Sequence, residues 1–172
     1  MSTYVVSDIH GQFESYKKLL GAISFKERDK LYILGDVLDR GPQSCEVLLD
    51  IMHRPNVTLI AGNHEYAAML VLPKLLTEIT AESIDKFLDD TEFMKGLLAW
   101  LNDGGQATID SFRRLSKQER QAVLDYLGEV SLYEELEVNG QKYVLVHAGL
   151  SHFSPKRPIE DFSLYELIFE RT

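Results

Sequence analysis

Cysteine is almost absent from this sequence. Cys45 is the single cysteine in 172 residues, so the chain can form no internal disulfide and a reducing compartment is the expected setting. Long apolar runs are also missing, because the nearest candidate, 66–76, is interrupted by Pro73 and Lys74. The first strand-like run begins at Thr3, which leaves no room for a signal peptide. These absences predict a soluble cytoplasmic protein with no membrane partner.

Basic residues are scarce as well. The chain has 18 Lys and Arg against 27 Asp and Glu, a net charge of -9. A protein that binds nucleic acid without sequence preference needs a basic face, so this balance argues against a nucleic-acid partner. It does not exclude an anionic substrate, because a bound cation can reverse the local field.

Short apolar runs alternate with helical patterns in the first part of the chain. Strand-like runs occupy 3–7, 31–34 and 57–60. Between them, apolar residues recur at helical spacing, first at Phe13, Tyr16, Leu19 and Leu20 and then at Val47, Leu48 and Ile51. This alternation predicts an α/β fold with a parallel sheet and right-handed crossovers.

The rest of the chain changes character twice. Residues 64–128 read as a helical insertion, in pieces at 64–76, 80–88, 91–101, 105–114 and 116–128. After it, Asn139-Gly140 between two apolar runs predicts a hairpin with a type I′ turn. No linker or repeat divides the chain, so we expect residues 1–172 to form one domain.

Polar residues of one kind follow each predicted strand. The groups are Asp8-Ile9-His10-Gly11, then 35–41 (GDVLDRG), then Gly62-Asn63-His64-Glu65, and His147-Ala148-Gly149 after the hairpin. Asp36 follows Asp8 by 28 positions and Asn63 follows Asp36 by 27, one βα unit each time. The groups should therefore meet at the carboxyl ends of the strands, where open α/β sheets bind ligands.

These residue types suit a pair of metal ions. Aspartate, histidine and asparagine without sulfur favour Mn, with Fe or Zn as alternatives. Asp8 and His10 can reach one ion together, provided that strand geometry persists to the end of the strand. Asp36 is placed to bridge two ions about 3.5–4 Å apart, and Asn63 and His147 would serve the second ion. Asn63 can also cap the following helix.

The remaining polar residues fit phosphate chemistry. Arg40 offers a planar fork for phosphate oxygens. His64 could protonate the leaving oxygen as general acid, and Asp39 could orient that imidazole.

At these residues the sequence resembles the PPP family of metallophosphoesterases, which includes serine/threonine protein phosphatases, the lambda-phage phosphatase and bacterial diadenosine tetraphosphatases. The four motifs occur in the family order, and 102–105 (NDGG) resembles a segment of the phage-like members. The resemblance implies a calcineurin-like metallophosphoesterase sandwich, an α/β fold that some schemes class as α+β, with a helical insertion.

The resemblance also implies roles for single residues. Asp8, His10 and Asp36 hold the first metal, Asp36, Asn63 and His147 hold the second, Arg40 binds phosphate and His64 pairs with Asp39. Arg171, in 168–171 (IFER), corresponds to a second phosphate-binding arginine. Family members carry one further histidine in a Gly-His turn beyond that segment, and this chain ends at Thr172 without it. We therefore expect a C-terminally truncated fold without its last strands, and a second metal site with weaker occupancy.

Three functions remain open at this point. The first is a dinuclear metal phosphomonoesterase acting on phosphoserine or phosphothreonine in proteins, because GDVLDRG keeps its second aspartate. The alternative is symmetrical hydrolysis of a bis(5'-nucleosyl) tetraphosphate or another nucleotide, although family members with that activity tend to vary at this aspartate and to follow GNH with Asp. The third is an inactive truncated relic that keeps the fold without turnover.

Overall fold

The structure, a computed structural model, describes residues 1–76 and 89–171. Its elements, labelled along the described part of the chain, are β1 (Thr3–Val6), α1 (Phe13–Ala22), β2 (Lys30–Leu34), α2 (Ser44–Met52), β3 (Val57–Ile60), α3 (Asn63–Leu75), α4 (Thr91–Asn102), α5 (Gly105–Arg113), α6 (Lys117–Glu129), β4 (Tyr133–Val138), β5 (Gln141–Val146), a 3-10 turn (Ile159–Asp161) and α7 (Leu164–Ile168).

The first three strands form a parallel sheet in the order β1-β2-β3. Val5 pairs with Tyr32 and Tyr32 pairs with Thr58, so the three strands end side by side. The predicted α/β arrangement is confirmed, and the strand limits differ from the expected ones by at most one residue. The polar groups that follow these strands consequently leave the sheet at one edge.

The core lies between this sheet and the helices. In the central strand β2, Leu31 and Ile33 are at most 1% exposed. Buried residues of α2 and α3 belong to the same cluster: Val47, Leu48, Ile51, Ala68, Val71 and Leu72. Burial of each large aliphatic side chain stabilises the fold by about 1.5–3 kcal/mol, so this cluster holds the strand ends firmly.

The helical insertion is present where the sequence predicts it. α3 to α6 match four of the five expected pieces within one or two residues, and the piece at 80–88 lies outside the described residues. A capping box formed by Ser116 and Glu119 starts α6, because each side chain accepts a hydrogen bond from the other's backbone N–H. None of the helices in the described ranges is long and apolar enough to cross a membrane.

The predicted hairpin is confirmed. β4 and β5 pair antiparallel up to Val138 and Gln141. Asn139 and Gly140 between them have φ of 53° and 78°, the positive values that a type I′ turn requires. The hairpin is joined to the parallel sheet where the Ala61 N–H donates to the Ser131 carbonyl at 2.8 Å. This junction brings the end of β5, and the histidine that follows it, to the edge where the other motifs lie.

Candidate active site

Residues from all four motifs meet at the carboxyl edge of the parallel sheet. A cavity of about 430 Å³ is lined there by Asp8, Asp36, Asn63, His64 and His147, among others. The expectation that one βα unit between motifs would place them at a common edge is therefore met. Arg171, the expected second phosphate-binding arginine, lies at the wall of the same cavity.

The first motif, 8–11, reaches this cavity through a turn and not, as expected, through a continuation of the strand. β1 ends at Val6, and Asp8 and His10 have φ of 56° and 44°, so strand geometry does not persist and the two side chains do not share a strand face. The physical reason is a set of loop-to-loop hydrogen bonds: the His10 N–H donates to the Asp36 carbonyl at 2.9 Å and the Gly11 N–H to the Val37 carbonyl at 2.8 Å. Hydrogen bonds to the loop after β2 thus set the conformation of the loop after β1.

Asp36 lies at the centre of the cluster, with only 5% of the residue exposed. Its Oδ2 is 3.7 Å from Nε2 of His10 and 3.8 Å from Nε2 of His64, and its Oδ1 is 3.5 Å from Nε2 of His147. These separations are too long for hydrogen bonds. Two ligand atoms about 2.1 Å from a shared ion lie about 3–4 Å apart, so the spacing fits a divalent cation.

The imidazole of His10 is already oriented for such a role. Its Nδ1 donates to the Leu38 carbonyl at 2.7 Å, which leaves the lone pair on Nε2 turned toward Asp36. Asp8 lies farther out: its Oδ1 is 4.0 Å from His10 Nε2, its side chain is 58% exposed, and it accepts a hydrogen bond from Ser7 Oγ. In the described residues the tight group of metal-type ligand atoms, within 4.8 Å of one another, is therefore His10, Asp36 and His64.

A second set of lone pairs converges on the other side of Asp36. His147 donates from Nδ1 to the Leu34 carbonyl at 2.7 Å, and its Nε2 lies 3.1 Å from Asn63 Oδ1. An imidazole lone pair, an amide oxygen and a carboxylate oxygen then face one another, an arrangement that a cation satisfies. The helix N-cap is Gly62 rather than Asn63, so the Asn63 side chain faces His147 instead of capping α3.

Two glycines permit this close approach. A Cβ on Gly35 would lie 2.6 Å from His147 Nδ1, and a Cβ on Gly62 would lie 2.3 Å from Asp36 Oδ1. Gly35 also has φ of 75°, a left-handed value that glycine adopts without strain. The glycines that precede Asp36 and Asn63 are thus required by the packing of His147 against both loops.

The backbone at this edge is strained. Five of the eight non-glycine residues with positive φ in the described part of the chain are Asp8, His10, Asp36, Asp39 and Arg40. Each such residue costs about 1–2 kcal/mol, a cost that concentrates at functional sites.

His64 is held by a buried carboxylate. Its Nδ1 donates to Asp39 Oδ2 at 2.6 Å, and both residues are at most 2% exposed. Burial lowers the pKa of His64, but the hydrogen bond to Asp39 and the nearby Asp36 and Asp103 carboxylates outweigh it and raise the pKa. The ring therefore presents Nε2 to the cavity with Nδ1 fixed behind it.

Asp39 is in turn oriented by residues of the helical insertion. Trp100 Nε1 donates to Asp39 Oδ2 at 2.6 Å, and Thr108 Oγ1 donates to Oδ1 at 2.5 Å. The Asp39 N–H donates back to Thr108 Oγ1 at 2.8 Å. The sequence motifs indicate no role at the site for either residue, although a buried Trp needs an acceptor for its N–H, and that need is the available signal.

Arg40 crosses the floor of the cavity. Its guanidinium lies 2.9 Å from His10 Nε2 and 3.1 Å from His64 Nε2, and it donates to Asp103 Oδ1 at 2.8 Å. The turn between α4 and α5 also holds its backbone, because the Arg40 N–H donates to the Gly104 carbonyl at 3.1 Å. A Cβ on Gly104 would lie 2.8 Å from Arg40 Cγ, so this glycine makes room for the arginine.

Glu65 fixes the backbone of the loop after β2 by accepting its N–H groups, a role that the sequence motifs do not indicate. Its Oε2 accepts the N–H groups of Asp36 at 2.7 Å and Gly62 at 2.9 Å, and its Oε1 accepts those of Val37 at 2.9 Å and Leu38 at 3.2 Å. Burial and the neighbouring Asp36 carboxylate raise the pKa of Glu65, and these backbone donors oppose the rise.

A parallel sheet whose strand ends gather carboxylate, imidazole and amide groups around one buried aspartate is typical of a metallophosphoesterase. The chain belongs to the calcineurin-like phosphoesterase family, which it matches over residues 1–171. The resemblance and the fold that were expected from the motifs are thereby confirmed.

Within this family, the chain is similar in sequence to curated proteins that share one name. A symmetrical bis(5'-nucleosyl)-tetraphosphatase of Buchnera aphidicola is 32% identical over 117 residues, 67% of this chain and 42% of that protein. One of the same name from Chromobacterium violaceum is 30% identical over 152 residues, 87% of this chain and 44% of that protein. The chain thus spans less than half the length of these curated relatives.

Solved structures show the same fold. One provisionally named as a diadenosine tetraphosphatase superposes with a TM-score of 0.58 at 22% identity, covering 93% of this chain and 58% of that one. A yeast serine/threonine phosphatase with similarity to human PP5 gives a TM-score of 0.50 at 20% identity, covering 98% and 51%. The names of the curated relatives favour the alternative, hydrolysis of a dinucleoside tetraphosphate, over the prediction of a phosphoprotein substrate.

Proposed function

We propose that this protein is a metal-dependent hydrolase that cleaves a phosphoanhydride bond of dinucleoside polyphosphates. The observation that carries the proposal is the convergence of carboxylate, imidazole and amide groups on Asp36, in a cavity that also contains Arg40 and Arg171. The choice of substrate is supported by the names of the curated relatives.

The donors divide into two groups around Asp36. Asp8, His10 and Asp36 would hold one divalent ion, and Asp36, Asn63 and His147 a second. Nitrogen and oxygen donors without sulfur suit Mn, with Fe or Zn as alternatives. Divalent ions held there would withdraw charge from phosphate oxygens and lower the pKa of an attacking water.

The other residues would bind the substrate and move a proton. Arg40 and Arg171 would pair with phosphate oxygens, which a guanidinium can contact through two N–H groups at once. As the bond between phosphorus and the leaving oxygen breaks, His64 would donate the proton on Nε2 to that oxygen. Asp39 would keep the ring in place through Nδ1.

Hydrolysis of diadenosine tetraphosphate with Mn²⁺, followed by anion-exchange chromatography, tests the proposal. Symmetrical cleavage adds one water across the central bond and yields two ADP. We expect His64→Ala to lower kcat by about 10²- to 10⁴-fold, the usual contribution of a general acid. The matched control is His53→Ala, at the exposed end of α2, which should leave kcat unchanged. Equal rates for both variants would remove His64 from the mechanism.

A second candidate function is hydrolysis of phosphoserine or phosphothreonine in proteins. The observation that favours it is Asp39, kept in GDVLDRG and bonded to His64 at 2.6 Å. Phosphopeptides assayed beside diadenosine tetraphosphate separate the two candidates by their kcat/KM values. Absence of turnover on both, with Mn²⁺ bound, would leave a non-catalytic binding module.

Thr108 offers a test of how Asp39 is positioned. Thr108→Val preserves shape but removes the hydroxyl that both donates to Asp39 and accepts from it. We expect kcat to fall by about 10- to 100-fold, the cost of a misplaced catalytic group, with KM little changed. Thr108→Ser restores the hydroxyl and should recover most of kcat. A purely structural role would instead lower stability in both variants without this recovery.

A further inference from the structure

Three aromatic rings lie together, and one of them, Phe169, lines the active-site cavity. Tyr165 and Phe169 are stacked, with ring centroids 5.7 Å apart and planes 21° apart, and Tyr66 meets Phe169 edge-on at 6.1 Å. Tyr165 is 62% exposed and Phe169 is 39% exposed. Both stacked residues are therefore partly open to solvent, and Phe169 is so beside a polar site.

This pair is anchored to the loop that carries His147. The Ala148 N–H donates to the Leu167 carbonyl at 3.0 Å, and the Gly149 N–H donates to the Glu170 carbonyl at 3.2 Å. Phe169 therefore lines the same cavity as His147 and Asn63, and Arg171 follows it two positions later on the cavity wall.

The backbone segment that carries Tyr165 and Phe169 is held in place by buried neighbours. Leu167 and Ile168, which lie between the two rings in sequence, are at most 3% exposed and belong to a buried cluster with Ile159 and Phe162. Ser151 Oγ donates to Glu170 Oε1 at 2.8 Å and ties the segment down on its other side. A preorganised ring loses little freedom when a flat ligand stacks on it.

We propose that Tyr165 and Phe169 form a stacking platform for a nucleobase of the nucleotide substrate. The inference rests on the proposed function and names how that site would recognise a nucleoside. A flat aromatic ligand gains contact with the exposed ring faces, while its phosphates point to the arginines and metal-type donors of the adjoining cavity. A phosphopeptide would supply the phosphate but no obligatory ring, so the continuity of ring and cavity favours a nucleotide.

Two ligands that differ only by the base test the platform. Adenosine 5'-monophosphate and ribose 5-phosphate share the phosphate and the sugar, and their dissociation constants can be measured by isothermal titration calorimetry. We expect the intact protein to bind the nucleotide about tenfold more tightly, as one base-stacking contact provides. Phe169→Leu keeps apolar volume without a ring and should bring the ratio close to one, whereas Phe169→Tyr should keep it.

The control is Phe153→Leu, because Phe153 is 56% exposed and lies at a different cavity beside the hairpin. It should leave the ratio unchanged. Equal affinities for the two ligands in the intact protein, or an unchanged ratio in Phe169→Leu, would overturn the platform, the latter pointing to a ring covered by another segment.

Failure of the platform and failure of the proposed function give different results. A protein that produces ADP from diadenosine tetraphosphate but shows no base preference keeps the function and loses the platform. A protein that prefers the nucleotide through Phe169 but cleaves no polyphosphate keeps the platform and loses the function.

Discussion

Replacing Asp36 by asparagine should lower the affinity for Mn²⁺ by about a hundredfold or more at both proposed ion sites. Loss of a residue that merely orients a ligand already costs about 10- to 100-fold in metal affinity, and Asp36 is proposed to be a ligand itself. Its Oδ1 faces His147 at 3.5 Å and its Oδ2 faces His10 at 3.7 Å, so one substitution weakens both groups of donors. Calorimetric titration of Mn²⁺ into protein treated with a chelator measures the change.

The substitution should leave the backbone intact. Asp36 has φ of 57°, and asparagine adopts this left-handed conformation as readily as aspartate. A loss of metal affinity without loss of the folded state therefore reports the missing charge. By contrast, Ala at this position would mix the two effects.

Two further variants sharpen the result. Asp110→Asn makes the same chemical change on the exposed face of α5 and should bind Mn²⁺ normally. His147→Ala removes a donor from one group only, so we expect it to weaken one ion and spare the other. If Asp36→Asn bound both ions as tightly as Asp110→Asn, the proposed bridging role would be wrong.

The parallel part of the fold was predictable because its signals are local. Glycines end the second and third apolar runs, and the nearly equal spacing of Asp8, Asp36 and Asn63 places one βα unit between strand ends. Parallel strands end at a common edge, so convergence of these groups follows from the topology alone. The turn of the hairpin was equally local, since Asn139 and Gly140 favour positive φ.

The conformation of the first loop could not be predicted in the same way. Asp8 and His10 have left-handed φ values because the N–H groups of this loop, from Asp8, His10 and Gly11, donate to the carbonyls of 35–37, which lie far away in sequence. The alternation of side chains along a strand applies where the strand is paired with neighbouring strands. The loop after β1 is hydrogen-bonded only to another loop. The side chain of His10 therefore reaches Asp36 by a backbone turn instead of by strand alternation.

The residues that orient Asp39 were hidden for a similar reason. Trp100 and Thr108 lie 61 and 69 positions from Asp39 in sequence and contact it only after the helical insertion packs on the sheet. Trp100 lies in the core, at 3% exposure, as an apolar residue of a packed helix is expected to. Its indole N–H gives the same residue a second role that periodicity does not report.

Glu65 presents the strongest case of a charged residue that supports the site without entering it. The carboxylate is 2% exposed and accepts four backbone N–H groups, two on each oxygen. Those donors belong to the loops that carry Asp36 and Asn63. The backbone of both loops is thus fixed by one side chain, and the sequence shows only a glutamate after Asn63-His64.

Glu65→Ala should therefore destabilise the protein severely, by about 4 kcal/mol or more, because four buried donors lose their acceptor. This is a large part of the stability of a typical domain, and the variant is expected to unfold readily.

Glu65→Gln is a milder variant whose stability can be measured. Its amide oxygen still accepts two hydrogen bonds, but its amide NH₂ faces two N–H donors, and we expect the free energy of unfolding to fall by about 2 kcal/mol. Urea denaturation followed by circular dichroism, in the presence of a chelator, gives both values without a contribution from bound metal. Glu129→Gln, at the exposed end of α6, is the control and should change stability by less than about 0.5 kcal/mol. If Glu65→Gln were as stable as this control, the loops would be held by their own backbone and the role assigned to Glu65 would fall.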